Sequence, residues 1–253
     1  MLGLVDSHEC FYGIIDPCIQ AVATVVSVPY RMTTCYPSQV AGKWMALNVT
    51  SVLEYPAVYL TYQALVGGIR ARKRCIRDHV KPTKNLTVLD VGCGPGYTIE
   101  CFPQPTYFGF DISQEYISYA KRKFSPPGQF YCQYLDESIL SRLPKADVVL
   151  LMGLVHHMDD SSVVELFHLV NRAMKPGGRL YTLDGCYQQD QARAARYFLD
   201  NDRGKYIRDE SGYRALAAKV FPQVTSVIRE DLFRIPYTAL IMECVGGDLE
   251  SPS

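Results

Sequence analysis

The residues best suited to chemistry form a turn with three glycines at alternate positions, Gly92, Gly94 and Gly96, directly after a short apolar strand. Because glycine has no Cβ, such a turn can bring backbone N–H groups close to a bound molecule. Asp111 ends the next apolar strand, where a carboxylate can accept hydrogen bonds from the hydroxyls of a ribose. The pattern predicts a nucleoside site, and a helix starting near Tyr97 should point its positive end at the same place.

The glycine spacing is G-x-G-x-G, because Tyr97 occupies the position that would complete the longer G-x-G-x-x-G pattern of dinucleotide sites. This mismatch points away from a pyrophosphate ligand. Together with Asp90, the turn closely resembles the first motif of class I S-adenosylmethionine-dependent methyltransferases, and Phe110-Asp111-Ile112-Ser113 resembles their ribose-binding second motif. Four further segments between about Asn85 and Val245 agree: the strand 146–151, the segment 153–158, the turn 175–178 and the strand 179–184.

The resemblance implies S-adenosyl-L-methionine as the cofactor and no metal site. Asp90 would then face the amino end of the methionyl group, through water or through the glycine-loop backbone. Asp111 would hold the ribose hydroxyls, Ile112 would flank the adenine, and Asp136 would accept from the adenine amino group. Asp90 and Asp136 also suit an alternative role as the cap of a turn or helix. The predicted cofactor-binding residues are Asp90, Gly92, Cys93, Gly94, Gly96, Asp111, Ile112, Asp136, Gly153 and Leu154.

His156 and His157 follow the fourth predicted strand, and the pair resembles a segment of methyltransferases of the ubiquinone-biosynthesis type. A histidine with a near-neutral pKa can deprotonate a hydroxyl or an acidic carbon as the methyl group arrives, so both are the candidate catalytic residues. The alternative for either is a hydrogen-bonded wall residue. Asp184 and Tyr237 are weaker candidates at the same edge.

Methyl transfer from a sulfonium needs mainly alignment and exclusion of water, so the sequence does not distinguish oxygen, carbon and nitrogen acceptors. We predict a methyltransferase acting by in-line displacement. Two alternatives stay open: a nicotinamide-dependent oxidoreductase, which would need the longer glycine spacing, and a binding or scaffold protein without turnover.

Composition limits the classes of partner. Lys and Arg together number 26, as do Asp and Glu, so no net field attracts nucleic acid or an anionic membrane. No N-P-P-Y or D-P-P-Y sequence follows the fourth strand, which disfavours methylation of adenine or glutamine nitrogen. We expect a small-molecule or a lipid- or glycan-linked acceptor, and no nucleic acid. The basic cluster between Arg70 and Arg77 is expected to be a solvated helix face.

The cysteines and the apolar segments indicate the cellular compartment of the protein. The nine cysteines are scattered without a C-x-x-C pair, which indicates free thiols in a reducing compartment and no zinc site. The apolar run 14–28 is interrupted by Asp16 and Pro17 and is too short to span a bilayer. We therefore expect a cytoplasmic protein without an integral membrane segment.

Alternating strands and helices beyond residue 85 predict an α/β fold, a Rossmann-like doubly wound sheet of seven strands, mostly parallel with a C-terminal antiparallel hairpin. An N-terminal helical extension precedes it. Its helices over 54–79, broken near Gly67-Gly68, and the polar loop 200–205 are expected to cover the site. The predicted domains are 1–84 (N-terminal extension and lid helices), 85–246 (cofactor-binding methyltransferase domain) and 247–253 (C-terminal tail). The predicted strands are 87–91, 106–110, 129–133, 146–151, 179–184, 224–229 and 237–244, and the predicted helices are 113–124, 160–174, 189–199 and one beginning at Ser211.

Overall fold

A mixed β-sheet forms the centre of the computed structural model, which describes residues 61 and 63–246 of the chain. The strand order is β3-β2-β1-β4-β5-β8-β7, with the short β6 paired to β5. Strands β1 to β5 run parallel, whereas β8 is antiparallel to both β5 and β7. The predicted doubly wound sheet with its C-terminal hairpin is confirmed. The strands are β1 Thr87–Val91, β2 Thr106–Asp111, β3 Gly128–Cys132, β4 Ala146–Met152, β5 Met174–Tyr187, β6 Arg208–Asp209, β7 Gln223–Arg229 and β8 Ala239–Val245.

Helices cover the two faces of this sheet. Ser113 caps α2, as predicted, by accepting a hydrogen bond from the backbone N–H of Tyr116. Asp159 and Asp209 cap α4 and α6 in the same way. The helix predicted over 189–199 begins only at Arg193. The α-helices are α1 Gly68–Cys75, α2 Gln114–Phe124, α3 Glu137–Leu140, α4 Asp160–Ala173, α5 Arg193–Asp200 and α6 Glu210–Ala217.

The helix expected after the glycine turn was predicted wrongly. The chain forms only a 3₁₀ segment, Tyr97–Cys101, and Phe102 is extended. Pro103 explains this ending, because the residue before a proline is disfavoured in the α conformation. A 3₁₀ segment of five residues has little dipole to offer a ligand. Binding at this edge must therefore depend on the loop itself and on the carboxylates beside it.

Strand β5 is longer than predicted because it pairs along both sides. The expected turn at 175–178 is an insertion within this strand, since Ala146 pairs with Met174 but Val148 pairs with Arg179. On the other side β8 pairs with β5 from Arg179 to Gly185. The central strands β4 and β5 are thus held rigidly, which fixes the residues at their carboxyl ends.

Strand β4 is buried on both faces. Val149 belongs to the core that includes Phe167 of α4, whereas Leu150 belongs to the core that includes Ile117 of α2. All four side chains are fully buried. Truncation of such a residue to alanine typically costs about 2–5 kcal/mol, so the sheet is a stable platform for the loops at its edge.

The part of the N-terminal extension that the structure describes begins with a helical stretch over 63–66, and the left-handed Gly67 separates this stretch from α1. A break near Gly67-Gly68 is what the sequence predicted. A π-helical turn, Ile76–Val80, follows α1. Residues 54–60, which belong to the predicted lid, lie outside the described residues, and the predicted domain boundaries stay predictions. No helix in the described part of the chain is long and apolar enough to cross a membrane.

Candidate active site

The glycine loop lies at the carboxyl edge of the sheet between β1 and β4, where the strand order reverses and α/β proteins bind ligands. Gly92, Gly94 and Gly96 all have positive φ angles, of 75°, 53° and 80°, which L side chains rarely adopt. A Cβ at Gly94 would meet no atom within 4 Å, whereas one at Gly96 would collide with Phe130. Gly96 is therefore required for packing, and Gly94 leaves space beside the backbone for a ligand.

Cys93 is held within the fold, because its backbone N–H donates to the Phe110 carbonyl at 3.0 Å. Its thiol is buried and bonds only the neighbouring Gly94 carbonyl, with a long Sγ–O distance of 3.5 Å. Burial raises the pKa of this thiol well above its usual value, so it stays protonated.

Asp111, at the end of β2, ties the glycine loop down. Its Oδ2 accepts from the Gly94 backbone N–H at 2.8 Å, and its Oδ1 accepts from that of Ser113 at 2.9 Å. Burial raises the pKa of Asp111 despite these bonds. Each carboxylate oxygen can accept a second hydrogen bond, so ribose hydroxyls can still be received here.

Two large side chains near the ends of β2 and β3 are exposed. Ile112 is 62% exposed and Tyr134, just after β3, is 75% exposed. The Sγ of Cys132 lies 3.5 Å from the carbonyl of Ile112 and brings the two strand ends together. The contact of Ile112 with the adenine stays a prediction.

Asp136 caps α3. Its Oδ1 accepts from the Ile139 backbone N–H at 3.0 Å and from the Ser138 hydroxyl at 2.6 Å, and these bonds lower its pKa. The capping alternative is thus the one present in the structure. A contact between Asp136 and an adenine stays a prediction.

Asp90 is a buried carboxylate with only one of its two oxygens hydrogen-bonded among the described residues. Its Oδ2 accepts from the Tyr107 hydroxyl at 2.5 Å and also from the Thr98 hydroxyl. Its Oδ1 is buried and has no hydrogen-bond partner among the residues that the structure describes. Burial raises the pKa of Asp90. Because a buried unpaired acceptor is costly, a donor from a ligand in the adjoining cleft would stabilise this group.

Arg72 reaches the same cleft from α1. Its Nε and Nη2 lie 3.4 and 3.3 Å from the Met152 carbonyl at the end of β4, and its Nη1 donates to Gln63 at 3.1 Å. Arg72 was predicted to lie on a solvated helix face, and this prediction was wrong. Its spacing from Ile69 and Ile76, three and four residues away, was the available signal, because this places it on the apolar face of the helix.

The carboxylate of Asp90 and the guanidinium of Arg72 thus line one cleft. An anionic and a cationic group side by side match the ammonium and carboxylate of an amino acid. The methionyl end of S-adenosylmethionine carries both groups, so these residues fit the cofactor that the sequence predicts.

Gly153 and Leu154 follow Met152, the residue of β4 that lines the cleft. Gly153 has a φ of 77°, and its N–H donates to the Leu183 carbonyl at 2.8 Å. The Leu154 side chain packs against Gly92, where an added Cβ would lie 3.3 Å from it. The structure therefore brings Leu154 to the glycine loop, whereas Gly153 lies beside Arg72, whose Nη2 would be 3.3 Å from an added Cβ.

His156 lies in the 3₁₀ turn Val155–His157, 7% exposed, at the carboxyl edge of β4 and β5. Its Nδ1 is 2.8 Å from Asp184 Oδ1, which also accepts from the His156 backbone N–H at 3.2 Å. Its Nε2 lies 3.6 Å from Asp202 Oδ1. Burial opposes the charged ring, but the two carboxylates outweigh it and raise the pKa of His156 above its usual value of 6.5.

The predicted polar loop covers this ring. A Cβ on Gly204 would lie 2.1 Å from His156 Cδ2, so only glycine fits against it. The Tyr206 N–H donates to the His156 carbonyl at 2.9 Å, and the Tyr237 hydroxyl donates to Asp202 Oδ2 at 2.9 Å. His156, Asp184, Asp202 and Tyr237 therefore form one connected network, of which Asp202 was predicted only as part of the loop.

His157 is the more exposed of the two histidines. Its ring lies 4.2 Å from that of His156, and partial burial together with the charge of His156 lowers its pKa. Only His156 contacts Asp184, so the two predicted catalytic residues have different surroundings. Among the described residues no group of His, Cys, Asp and Glu side chains is arranged to hold a metal ion.

The fold and this edge define a known class of protein. A family model described as a methyltransferase domain matches residues 88–178, which include Asp90, the glycine loop, Asp111 and both histidines. This match, and the similarity to known methyltransferases, support the predicted resemblance to the class I S-adenosylmethionine-dependent methyltransferases. The matched domain agrees with the predicted family and with S-adenosylmethionine as its cofactor, and it favours both over a nicotinamide-dependent oxidoreductase.

Individual relatives agree. The chain is 27% identical over 160 residues to "O-methyltransferase 3" of Dictyostelium discoideum, covering 58% of this chain and 36% of that protein. It is 30% identical over 117 residues to the ubiquinone biosynthesis O-methyltransferase of Leptothrix cholodnii, covering 44% of this chain and 48% of that protein. It thus spans about a third to a half of the length of the relatives it matches.

A solved methyltransferase from Archaeoglobus fulgidus is similar in fold, with a TM-score of 0.57, 17% identity, and coverage of 74% of this chain and 98% of that one. The magnesium protoporphyrin IX methyltransferase of Synechocystis, solved with bound S-adenosylhomocysteine, is similar with a TM-score of 0.54, 17% identity, and coverage of 78% and 94%. These two likenesses support the fold.

Proposed function

We propose that the protein transfers the methyl group of S-adenosylmethionine to a hydroxyl oxygen of a small-molecule acceptor. The observation that carries the proposal is the buried Oδ1 of Asp90, which has no hydrogen-bond partner among the described residues, together with the open space at Gly94 four residues further along the chain. A cationic donor on a bound ligand would pair with the Asp90 oxygen, and the same ligand would occupy the open space at Gly94.

When bound, S-adenosylmethionine supplies an activated methyl group on a sulfonium. Asp90 and Arg72 would hold the amino-acid end, Asp111 the ribose, and Ile112 the adenine. Gly94 allows the backbone to approach closely. These contacts fix the donor in place, which is the main requirement of an in-line displacement.

On the acceptor side, His156 would receive the proton of the hydroxyl at Nε2. Asp184 holds Nδ1 and so fixes which nitrogen faces the acceptor. Asp202 lies near Nε2 in the structure, so the loop that carries it must shift for an acceptor to reach the ring. His156 must also be neutral to act as a base, and its raised pKa means that this form is populated only at the higher pH values.

The relatives support a hydroxyl acceptor. The protein from Dictyostelium is an O-methyltransferase, and other relatives are an acetylserotonin O-methyltransferase of rat and a flavonoid 4'-O-methyltransferase of peppermint. The last two names specify small hydroxylated molecules. A lipid- or glycan-linked hydroxyl is the remaining alternative for the acceptor.

Calorimetric titration with S-adenosylhomocysteine tests the cofactor site. The wild-type protein should bind it, and Asp90→Asn should weaken binding about 10- to 150-fold, because the amide can still accept from Tyr107 but turns an N–H₂ toward the ligand. Asp147→Asn is the matched control, since Asp147 bonds Lys175 at the other end of the sheet. Equal affinity of Asp90→Asn and the wild type would show that the Asp90 carboxylate does not bind the ligand, and the proposal would lose its main support.

Turnover is tested by release of S-adenosylhomocysteine in the presence of a panel of phenols, hydroxy acids and amines. Proton NMR of the product distinguishes a methoxy from an N-methyl group. Methoxy products support the proposal, whereas N-methyl products, or cofactor binding without turnover on any member, contradict it.

A further inference from the structure

The basic cluster of α1 is not simply a solvated helix face. Arg70, Arg74 and Arg77 recur at helical spacing and line an open groove. Arg234, from the connection between β7 and β8, forms the opposite wall, and its backbone N–H donates to the Val66 carbonyl at 3.0 Å. The groove thus combines cations from two distant parts of the chain and is anchored by a backbone hydrogen bond.

Some of these cations are already paired. Arg74 donates to the carboxylate of Asp231 at 2.5 Å, and Arg77 donates to Asp78 at 2.8 Å. Arg70 and Arg234 are both exposed, and neither has a carboxylate partner in the part of the chain that the structure describes. The groove therefore has two guanidinium groups in surplus over its own carboxylates.

The groove borders the candidate cofactor cleft. Ile69 and Lys73 line both, and Arg72 faces the cleft from the same helix. Lys73 is paired with Glu100 at 2.9 Å.

We infer that this groove binds a phosphate group of the methyl acceptor, with Arg70 and Arg234 as its principal contacts. The inference rests on the proposed function, because it assigns the substrate class of the same site. Guanidinium groups donate two parallel hydrogen bonds to phosphate oxygens, and a doubly charged anion suits two of them better than a single carboxylate does. The phosphate can belong to a soluble phosphate ester or to a lipid headgroup.

The binding test uses inorganic phosphate as the probe, at low ionic strength. Titration followed by the side-chain Nε–H NMR signals of arginine should show one saturable site, with shifts at Arg70 and Arg234. Arg70→Gln combined with Arg234→Gln should weaken binding at least 10-fold. Lys84→Gln combined with Lys219→Gln removes the same charge from two exposed lysines outside the groove and should change affinity less than 2-fold. Non-saturable shifts, or equal losses in both double variants, would overturn the inference.

Sedimentation with vesicles distinguishes the two sources of phosphate. Binding to phosphatidylglycerol vesicles but not to phosphatidylcholine vesicles, lost in the Arg70 and Arg234 double variant, assigns the groove to a lipid headgroup. Saturable binding of phosphate without vesicle binding assigns it to a soluble ester.

The same samples are titrated with S-adenosylhomocysteine, which separates this inference from the proposed function. Binding of S-adenosylhomocysteine without saturable binding of phosphate sinks the inference alone. Saturable binding of phosphate without S-adenosylhomocysteine sinks the proposed function while the anion site stands. Competition between the two ligands would also count against the inference, because the groove and the cleft should be occupied together.

Discussion

The two halves of the sheet's carboxyl edge differ in how completely their polar side chains are paired within the protein. At the β1–β3 half, Asp90 keeps a buried oxygen without a partner among the described residues, and Gly94 faces open space. At the β4–β5 half, both ring nitrogens of His156 face carboxylates, and Gly204 packs directly on the ring. One half leaves an acceptor and open space at its surface, whereas the other is closed by the protein's own loop.

This difference assigns separate tasks to the two halves. The cofactor half is set by β-strand ends and positive-φ glycines, which are rigid, so it is preformed. The acceptor half is closed by a surface loop that is joined to the edge through single hydrogen bonds from Tyr206 and Tyr237. Loops of this kind open at low free-energy cost. We therefore expect the cofactor to bind without rearrangement and the acceptor to displace the loop.

The largest expected effect tests the preformed half. Gly94→Val should abolish detectable binding of S-adenosylhomocysteine in calorimetry, because a branched side chain would fill the space beside the loop and favour a negative φ. Gly177→Val is the matched control, since Gly177 also has a positive φ, of 73°, and no atom within 4 Å of an added Cβ. Both variants carry backbone strain, but only Gly94→Val should lose the ligand. Retained affinity would mean that the glycine loop is only a turn.

The next effect tests the closed half. His156→Ala should lower turnover by about two to four orders of magnitude with cofactor affinity nearly unchanged, because Asp184 orients this ring and not that of His157. His157→Ala is the neighbouring control and should retain most of the activity. In the wild type, turnover should increase as pH rises through the raised pKa of His156. A pH-independent rate, or equal losses in both variants, would show that positioning alone accounts for the reaction here.

Local pattern predicted the sheet and the cofactor half well. Strand ends such as Val91 and Asp111 are marked by an apolar run that meets a glycine or a carboxylate, and these signals lie within a few residues of each other. The cap at Ser113 is equally local. The short length of the helical segment after Gly96 could also have been predicted, because Pro103 disfavours the α conformation at Phe102.

Contacts between residues far apart in the chain could not be predicted from the sequence. Nothing near Arg72 in the sequence indicates that it reaches Met152, 80 residues further on. Asp184 and Asp202 likewise meet His156 only because β5 and the loop after α5 end beside β4. A single sequence gives the residue types of such a network but not which members touch, since that depends on sheet order and on the path of a loop.

A smaller effect separates two roles of one carboxylate. Asp111→Ala should weaken the binding of S-adenosylhomocysteine by about 1.5–3 kcal/mol. The substitution removes both the acceptor for the ribose hydroxyls and the hydrogen bond from the Gly94 N–H. Asp136→Ala removes an exposed helix cap and should cost about 1 kcal/mol of stability with little change in affinity. Calorimetry and thermal unfolding of both variants measure the two effects. A similar loss of affinity in Asp136→Ala would instead support its contact with the adenine.

The smallest expected effect concerns stability and pH in the closed half. The pKa of His156 is raised in the folded protein, so its ion pairs stabilise the fold fully below the unfolded value of about 6.5, and this stabilisation is lost as pH rises through the folded pKa. Each unit of raised pKa contributes about 1.4 kcal/mol. Urea unfolding from about pH 6 to about pH 9 should therefore show wild type losing stability relative to His156→Gln, which does not titrate in this range. The loss should be accompanied by faster hydrogen exchange at Tyr206, whose N–H donates to His156. If the difference between the two proteins is constant over this range, the ring is not charged in the closed state, and the loop is held by packing on Gly204 rather than by its carboxylates.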